Sequence, residues 1–276
     1  MQRIRLGKTK LDVSRLCFGT EPFALKKGPD NDLRQGDRTP SEGGEILSGA
    51  LKMGVNFWDT SEDYGTHPHV AEGLKRVTRH GVVVADKTNA KTYEEGNEAV
   101  KLALNDLGTD YIDIMFLHNV PAKSVTRRDA SDIAYESASL QSRMGALKAF
   151  IQAKESGTVR VIGLSTHSTH VLRQALKVPE IDVVCTPLNI KSSYLDDGTM
   201  ADRIDALKSL KQSGKGVYVI KVLEAGRLRD EADAAIRFAL RYNRFIDAWN
   251  IGMYSLDDVS RNMKLMAEEL GKIDNV

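Results

Sequence analysis

Residues 82–118 read VVVADKTNAKTYEEGNEAVKLALNDLGTDYIDIMFLH. The segment opens on an apolar run rich in β-branched residues, VVVADK at 82–87, and closes on a second one, IDIMFLH at 112–118. Both are near-continuously apolar rather than alternating, which is the pattern of a strand covered on both faces. Between them, Thr92 ahead of YEEG offers a hydroxyl for a helix N-cap. Leu102, Leu104 and Leu107 share approximately one face of a helix, and Gly108 follows as a helix-ending glycine. The stretch is one strand–helix–strand unit.

The same unit recurs outward in both directions. Further apolar runs stand at 15–19 (RLCFG), 55–59 (VNFWD), 160–165 (RVIGLS), 181–188 (IDVVCTPL), 216–223 (GVYVIKVL) and 248–253 (AWNIGM), eight in all. Ile46, Ala50 and Leu51 mark one intervening helix face and Leu147, Phe150 and Ile151 another. Ser41 and Ser255 are expected to cap helices; Gly54, Gly157 and Gly214 are expected to end them. Eight strand–helix units predict a closed parallel (β/α)8 TIM barrel. An open doubly wound sheet is the rival architecture, but no strand is followed by G-x-G-x-x-G. The first 13 residues alternate and turn at GKTK, predicting a short N-terminal β-hairpin that closes the barrel floor. With no linker rich in Pro, Gly or Ser, residues 1–276 read as a single domain. Two long connections, 21–40 and 119–138, leave the carboxyl ends of strands one and four, where barrel enzymes build their sites.

Lys and Arg number 39 against 38 Asp and Glu, a net charge of +1 that makes nucleic acid an unlikely partner. The two cysteines, Cys17 and Cys185, lie in apolar runs and read as buried thiols in a reducing compartment. There is no apolar signal region and no stretch long enough for a membrane helix, so the expectation is a soluble cytoplasmic protein without a membrane partner. Nothing in the sequence specifies an oligomeric state.

Candidate chemistry lies at the carboxyl ends of consecutive strands: Asp59 on the second, Lys87 on the third and His118 on the fourth, with Tyr64 five residues beyond Asp59. Singly, each has an ordinary explanation: a turn partner for Asp, a satisfied core residue for His, packing for Tyr. Buried Lys is rarer. Jointly, four such residues on one rim point to catalysis. A free phenol with a pKa of ~10 is a poor acid at neutral pH. An ammonium nearby is expected to lower it, so Lys87 would tune Tyr64, Asp59 would hold Lys87, and His118 would orient a carbonyl oxygen. No side chain supplies a hydride, so the chemistry requires a cofactor.

At these residues the sequence resembles the aldo-keto reductase family. RIRLGKTKLDVSRLCFGT is similar to its N-terminal segment and NFWDTSEDYG to its strand-two motif, matching Asp59 and Tyr64 of the catalytic tetrad. VVVADKT and IDIMFLH match the tetrad lysine and histidine at Lys87 and His118. The resemblance covers residues 3 to about 266 and implies a (β/α)8 barrel that binds NADP(H) or NAD(H) across its carboxyl face and acts on a small carbonyl or alcohol substrate. It implies cofactor contacts from Gly19, Thr20 and Asp59, from Ser165 and Thr166 in RVIGLSTHS, from Cys185, from Leu223 and Gly226 in KVLEAGRL, and from Asp258 and Asn262. It implies no metal. The chain departs from the family pattern at Thr166 (usually Asn), Cys185 (usually Gln) and Ile220 (often aromatic).

At the adenine end, Gly252 and Asp258 fall where basic residues often meet a 2′-phosphate. Asp258 would repel a phosphate, unless Arg261 turns inward to compensate, so NAD(H) is expected to serve as well as NADP(H) or better. Loop charges such as Lys26, Lys27, Arg127, Arg128 and Lys191 would suit an anionic substrate, but read more simply as solvated loop charges. Two other functions stay open. One is a nucleotide-sensing regulatory subunit on the same fold. The other is a metal-dependent barrel hydrolase, suggested by His67-x-His69 but weakened because that pair opens a helix.

Overall fold

A computed structural model of the chain describes residues 1–23, 36, 38–128 and 134–274. Lys26 and Lys27 lie outside the described residues, as do the side chains of Arg127 and Arg128. The elements run β1 (Arg3–Arg5), β2 (Asp12–Ser14), β3 (Leu16–Gly19), α1 (Pro40–Lys52), β4 (Phe57–Asp59), α2 (His67–Lys75), β5 (Val83–Thr88), α3 (Tyr93–Leu107), β6 (Ile112–Leu117), β7 (Val125–Arg128), β8 (Ala134–Ser137), α4 (Met144–Ser156), β9 (Val159–Ser165), α5 (Thr169–Ala175), β10 (Val183–Pro187), α6 (Met200–Ser213), β11 (Gly216–Ile220), α7 (Ala232–Leu240), β12 (Ala248–Gly252) and α8 (Leu256–Asp274). Strands β3, β4, β5, β6, β9, β10, β11 and β12 pair in that order, all parallel, and β12 returns to β3. This is the (β/α)8 barrel, and each of the eight apolar runs supplies one of its strands.

Alternation along each strand divides the core in two. Phe57 on β4, Val83 and Ala85 on β5, Ile114 and Phe116 on β6, and Tyr218 on β11 fill the lumen. Their strand neighbours, among them Trp58, Val84 and Met115, pack outward under the helices. The N-terminal hairpin of β1 and β2 adds Leu6, Leu11 and Val13 to the lumen cluster, plugging the amino end. Lys8 N donates to Gly214 O at 2.7 Å, tying the hairpin to the turn before β11. Burial of each apolar side chain is worth about 1.5–3 kcal/mol. The exposed Arg3–Asp12 pair, at 3.8 Å, contributes at most about 1 kcal/mol. The apolar plug therefore anchors the hairpin.

Details differ from expectation where local chemistry competes. Helix α1 is capped by Thr39, not Ser41: Thr39 Oγ1 accepts from Glu42 N while Glu42 Oε2 accepts from Thr39 N, and Pro40 occupies the first helical position. Thr92 caps α3 in the same reciprocal way with Glu95. Leu102 is exposed, so the buried face of α3 runs through Val100, Ala103 and Leu107 instead. The 119–138 connection contains the antiparallel pair β7–β8, which the sequence did not signal.

Candidate active site

Strand parity decides which polar residues enter the barrel. Asp59 has the parity of Phe57, and Lys87 that of Val83 and Ala85, so both point into the lumen, one layer above the apolar filling. Their side chains are about 1% exposed, and Lys87 Nζ donates to Asp59 Oδ1 at 2.6 Å and to Thr60 O at 2.6 Å. The second carboxylate oxygen of Asp59 accepts from the buried Tyr218 hydroxyl at 2.7 Å. Burial opposes the Lys87 ammonium, but Asp59, through charge and hydrogen bond, together with Cys185 and Asp86 raises the lysine above its usual range.

Tyr64 ends the 3-10 turn Glu62–Tyr64 that follows β4, and Gly65 turns the chain left-handed immediately afterwards. Lys87 Nζ lies 4.8 Å from the Tyr64 ring centroid. Among the described residues the phenol makes no side-chain hydrogen bond. Its pKa runs against the sequence expectation. Burial, first of all, and then the negative charges of Glu21 and Asp59 push Tyr64 well above the ordinary phenol value. The Lys87 ammonium, already paired with Asp59, does not offset these effects.

His118, beyond β6, packs edge-on against Tyr64 with centroids 6.0 Å apart. A closed circuit positions it. His118 Nδ1 is 3.1 Å from Asp63 Oδ2, Asp63 accepts from Asn89 Nδ2 at 2.8 Å, and Arg143 Nη2 donates to Asn89 Oδ1 at 3.3 Å. Arg143 Nη1 then returns to His118 O at 2.6 Å. Burial works against the Asp63 charge, but hydrogen bonds from His118 and Asn89 hold its pKa below the usual carboxylate value. The structure thus brings Asp59, Tyr64, Lys87 and His118 together at one rim. It adds Tyr218, Asp63, Asn89, Arg143 and Glu21, which sequence reasoning missed. Tyr218 was findable from parity, since it shares the lumen face with Ile220; Arg143 and Asn89 carried no such signal.

A cavity of about 480 Å³ opens above these groups. Gly19, Asp59, Leu223, Gly226 and Asp258 line it together with Tyr64, Ile220, Arg229 and Arg261. The other expected cofactor contacts lie outside its wall. Thr20 is turned inward, donating to Asp59 O at 2.9 Å. Ser165 Oγ accepts from Asn119 N at 2.7 Å, and Thr166 Oγ1 donates to Val120 O at 2.6 Å. Cys185 is sealed in the lumen, its thiol pushed up to about 12 by burial. Asn262 is buried, with Oδ1 lacking a hydrogen-bond partner among the described residues.

Several features fit a dinucleotide. A Cβ on Gly19 would come within 2.4 Å of Asn250 Oδ1, so glycine keeps the cavity open there. Lys221, Glu224 and Ala225 are left-handed at φ 58°, 50° and 54°, next to Gly226 at 93°. Such non-glycine strain costs of order 1 kcal/mol per residue and concentrates at ligand clamps. Turns of this kind make anion-binding concavities. The His67-x-His69 pair is engaged elsewhere. His67 Nε2 meets Asp86 at 3.0 Å, and His69 Nε2 meets Arg38 O at 2.8 Å. Among the described residues no three metal-capable side chains converge.

The fold is a closed parallel barrel with Asp59, Lys87, Tyr64 and His118 gathered at its carboxyl rim. A model of the Aldo/keto reductase family matches residues 15–269, and the chain belongs to that family. It is an NAD(P)-dependent enzyme of that family. It is 26% identical over 308 residues to L-galactose dehydrogenase of Arabidopsis thaliana, covering 95% of this chain and 87% of that protein. It is 27% identical over 251 residues to the NADH-specific methylglyoxal reductase of Escherichia coli, covering 83% and 69%. Matches to three further relatives span about half of their lengths, 54%, 51% and 50%. An aldo-keto reductase from Bacillus halodurans, solved in its holo form, shares the fold with a TM-score of 0.71 at 20% identity, covering 100% of this chain and 96% of that one.

Proposed function

We propose that the chain reduces an aldehyde or ketone to the alcohol, or the reverse, with Tyr64 as the proton donor and acceptor. The carrying observation is the buried Lys87–Asp59 pair beneath Tyr64 at the floor of an open cavity. The cofactor, when bound, supplies the hydride. Tyr64, held as the neutral phenol, donates its proton to the carbonyl oxygen. Lys87 then stabilises the phenolate left behind, and Asp59, steadied by Tyr218, keeps Lys87 in place. Asp63 engages Nδ1 of His118, leaving Nε2 to meet the substrate oxygen. We read residues 1–276 as one domain working in the cytoplasm on a small molecule.

Gly19, Leu223, Gly226 and Arg229 would hold the dinucleotide, and Asn262, with its orphaned Oδ1, would serve the adenine end. Asp258 and Arg261 lie 3.6 Å apart, so much of the Arg261 charge is already met before a 2′-phosphate arrives. That supports NAD(H) as a cofactor at least equal to NADP(H), in line with the relative named NADH-specific. Comparing KM for NADH and NADPH tests this; a strong preference for NADPH refutes it.

For the reaction, the purified protein is incubated with either reduced cofactor and 4-nitrobenzaldehyde. Turnover is expected, and Tyr64→Phe is expected to lower kcat by about 10²–10⁴-fold while cofactor affinity holds. Equal activity of Tyr64→Phe would remove the phenol from the mechanism. Cofactor binding without turnover of any carbonyl would favour a nucleotide-sensing protein.

A further inference from the structure

Glu21 follows β3 directly, in the 3-10 turn Glu21–Phe23, and lines the cavity beside Gly19, Asp59 and Tyr64. The turn is anchored from within. Thr20 N donates to Asp59 O at 3.1 Å, Thr20 Oγ1 to the same oxygen at 2.9 Å, and Phe23 N to Thr20 O at 2.9 Å. Glu21 is therefore held against the carboxyl end of β4. Its carboxylate has no ion pair or side-chain hydrogen bond among the described residues, whereas Asp59 is neutralised by Lys87 and Asp63 is tied to His118 and Asn89. After burial, the charge of Glu21 is the largest influence on the Tyr64 phenol, ahead of Asp59.

The cavity's cations come from other segments. Lys221 and Arg229 belong to the segment after β11, and Arg261 to α8. In the barrel order β12 stands between β11 and β3, and α8 follows β12, so the three cations share the cavity with Glu21, but among the described residues none forms an ion pair with it. They suit the dinucleotide's phosphates, whereas the substrate carbonyl must reach the phenol.

We propose that Glu21 is a specificity-determining residue: a carboxylate with no counter-charge paired to it among the described residues, lining the cavity with the reacting phenol, that excludes carbonyl compounds bearing a carboxylate and admits neutral or ammonium-bearing ones. The proposal rests on the reductase reading and names its substrate class. Two like charges several ångströms apart in a half-open cavity repel by enough for about a tenfold discrimination.

The test compares 4-carboxybenzaldehyde with 4-nitrobenzaldehyde at low ionic strength, in wild type and Glu21→Gln. Intrinsic reactivity differs between the aldehydes but cancels between the enzymes. The ratio of kcat/KM, neutral over anionic, is expected to fall about tenfold in Glu21→Gln. In wild type it should also shrink on raising salt to about 0.5 M, where exposed charges are screened. A ratio that changes less than about twofold on substitution overturns the proposal. Should Glu21→Gln fail to fold, the wild-type salt dependence decides, and a salt-independent ratio overturns it. If neither aldehyde is turned over in a Tyr64-dependent way, the reductase reading fails, and calorimetric binding of the same pair still scores Glu21. A preference for the neutral aldehyde that Glu21→Gln abolishes sustains the charge filter; equal ratios in both proteins refute it.

Discussion

Lys87 and Asp59 face each other in a lumen otherwise filled by Phe57, Phe116 and Tyr218. Neither charge would be tolerated there alone. Lys87→Met should leave Asp59 unpaired and destabilise the fold by about 3–5 kcal/mol, read from urea unfolding. A loss under about 1 kcal/mol would mean that water already reaches the pair. Tyr218→Phe removes a donor from a buried carboxylate and is expected to cost about 1–3 kcal/mol in the same measurement, with no change in lumen volume to confuse it. Tyr64 carries the pH dependence. Because its pKa lies well above the ordinary value, the acid form persists through neutrality and beyond. Carbonyl reduction should stay level from about pH 6 to 9, whereas alcohol oxidation, which needs the phenolate, should climb with pH over that range. A fall in the reduction rate near neutrality would contradict the raised value.

At the scale of elements, glycine sets how closely strands and side chains approach. Gly163 on β9 pairs in register with Phe116 on β6, and a Cβ at Gly163 would lie 2.3 Å from the Phe116 ring. Gly163→Ala should therefore cost about 1–3 kcal/mol through overpacking of the lumen. Thermal unfolding checks it, and an unchanged midpoint would show that the ring can move. Much of this level was legible in advance. The eight apolar runs became the eight barrel strands, and Gly108, Gly157 and Gly214 end α3, α4 and α6 in the left-handed region. Two local readings failed for different reasons. Ser41 lost the cap to Thr39 because Pro40 suits the first helical turn and Glu42 completes a reciprocal pair with Thr39. Leu102 was placed on a buried face by spacing alone, although α3 turns it to solvent.

Across the whole molecule, buried charges also lie apart from the cavity, among them a histidine held between two carboxylates. His67 opens α2 and meets Asp86 on β5 and Asp106 on α3. Burial opposes its protonation, but the two carboxylates outweigh burial and raise its pKa. The stabilisation is therefore complete below the unfolded value of ~6.5 and is lost as pH rises through the folded value. Wild type should exceed His67→Asn in unfolding midpoint most at about pH 6, with the gap narrowing toward alkaline pH. A gap that widens instead would reverse the assignment. The candidate site was only partly visible from the chain. Asp59, Lys87 and His118 stood out because charged or polar residues ended apolar runs, and Tyr64 because it follows Asp59 by five residues. Arg143 and Asn89 did not, because their roles arise from contacts between separate connections.

By itself, the order of apolar runs and glycines determined a parallel closed barrel, because a strand covered on both faces must alternate with helices that cover it. The runs likewise placed Asp59 and Lys87 at strand ends, but with both faces apolar only the closed barrel showed that they enter the lumen. Only the tertiary structure decided the charge states. Whether Lys87 pairs with Asp59, and whether Glu21 stands unpaired among the described residues, depends on distances between strands that no local pattern encodes. Electrostatic energy follows separation and burial, and both are properties of the assembled barrel.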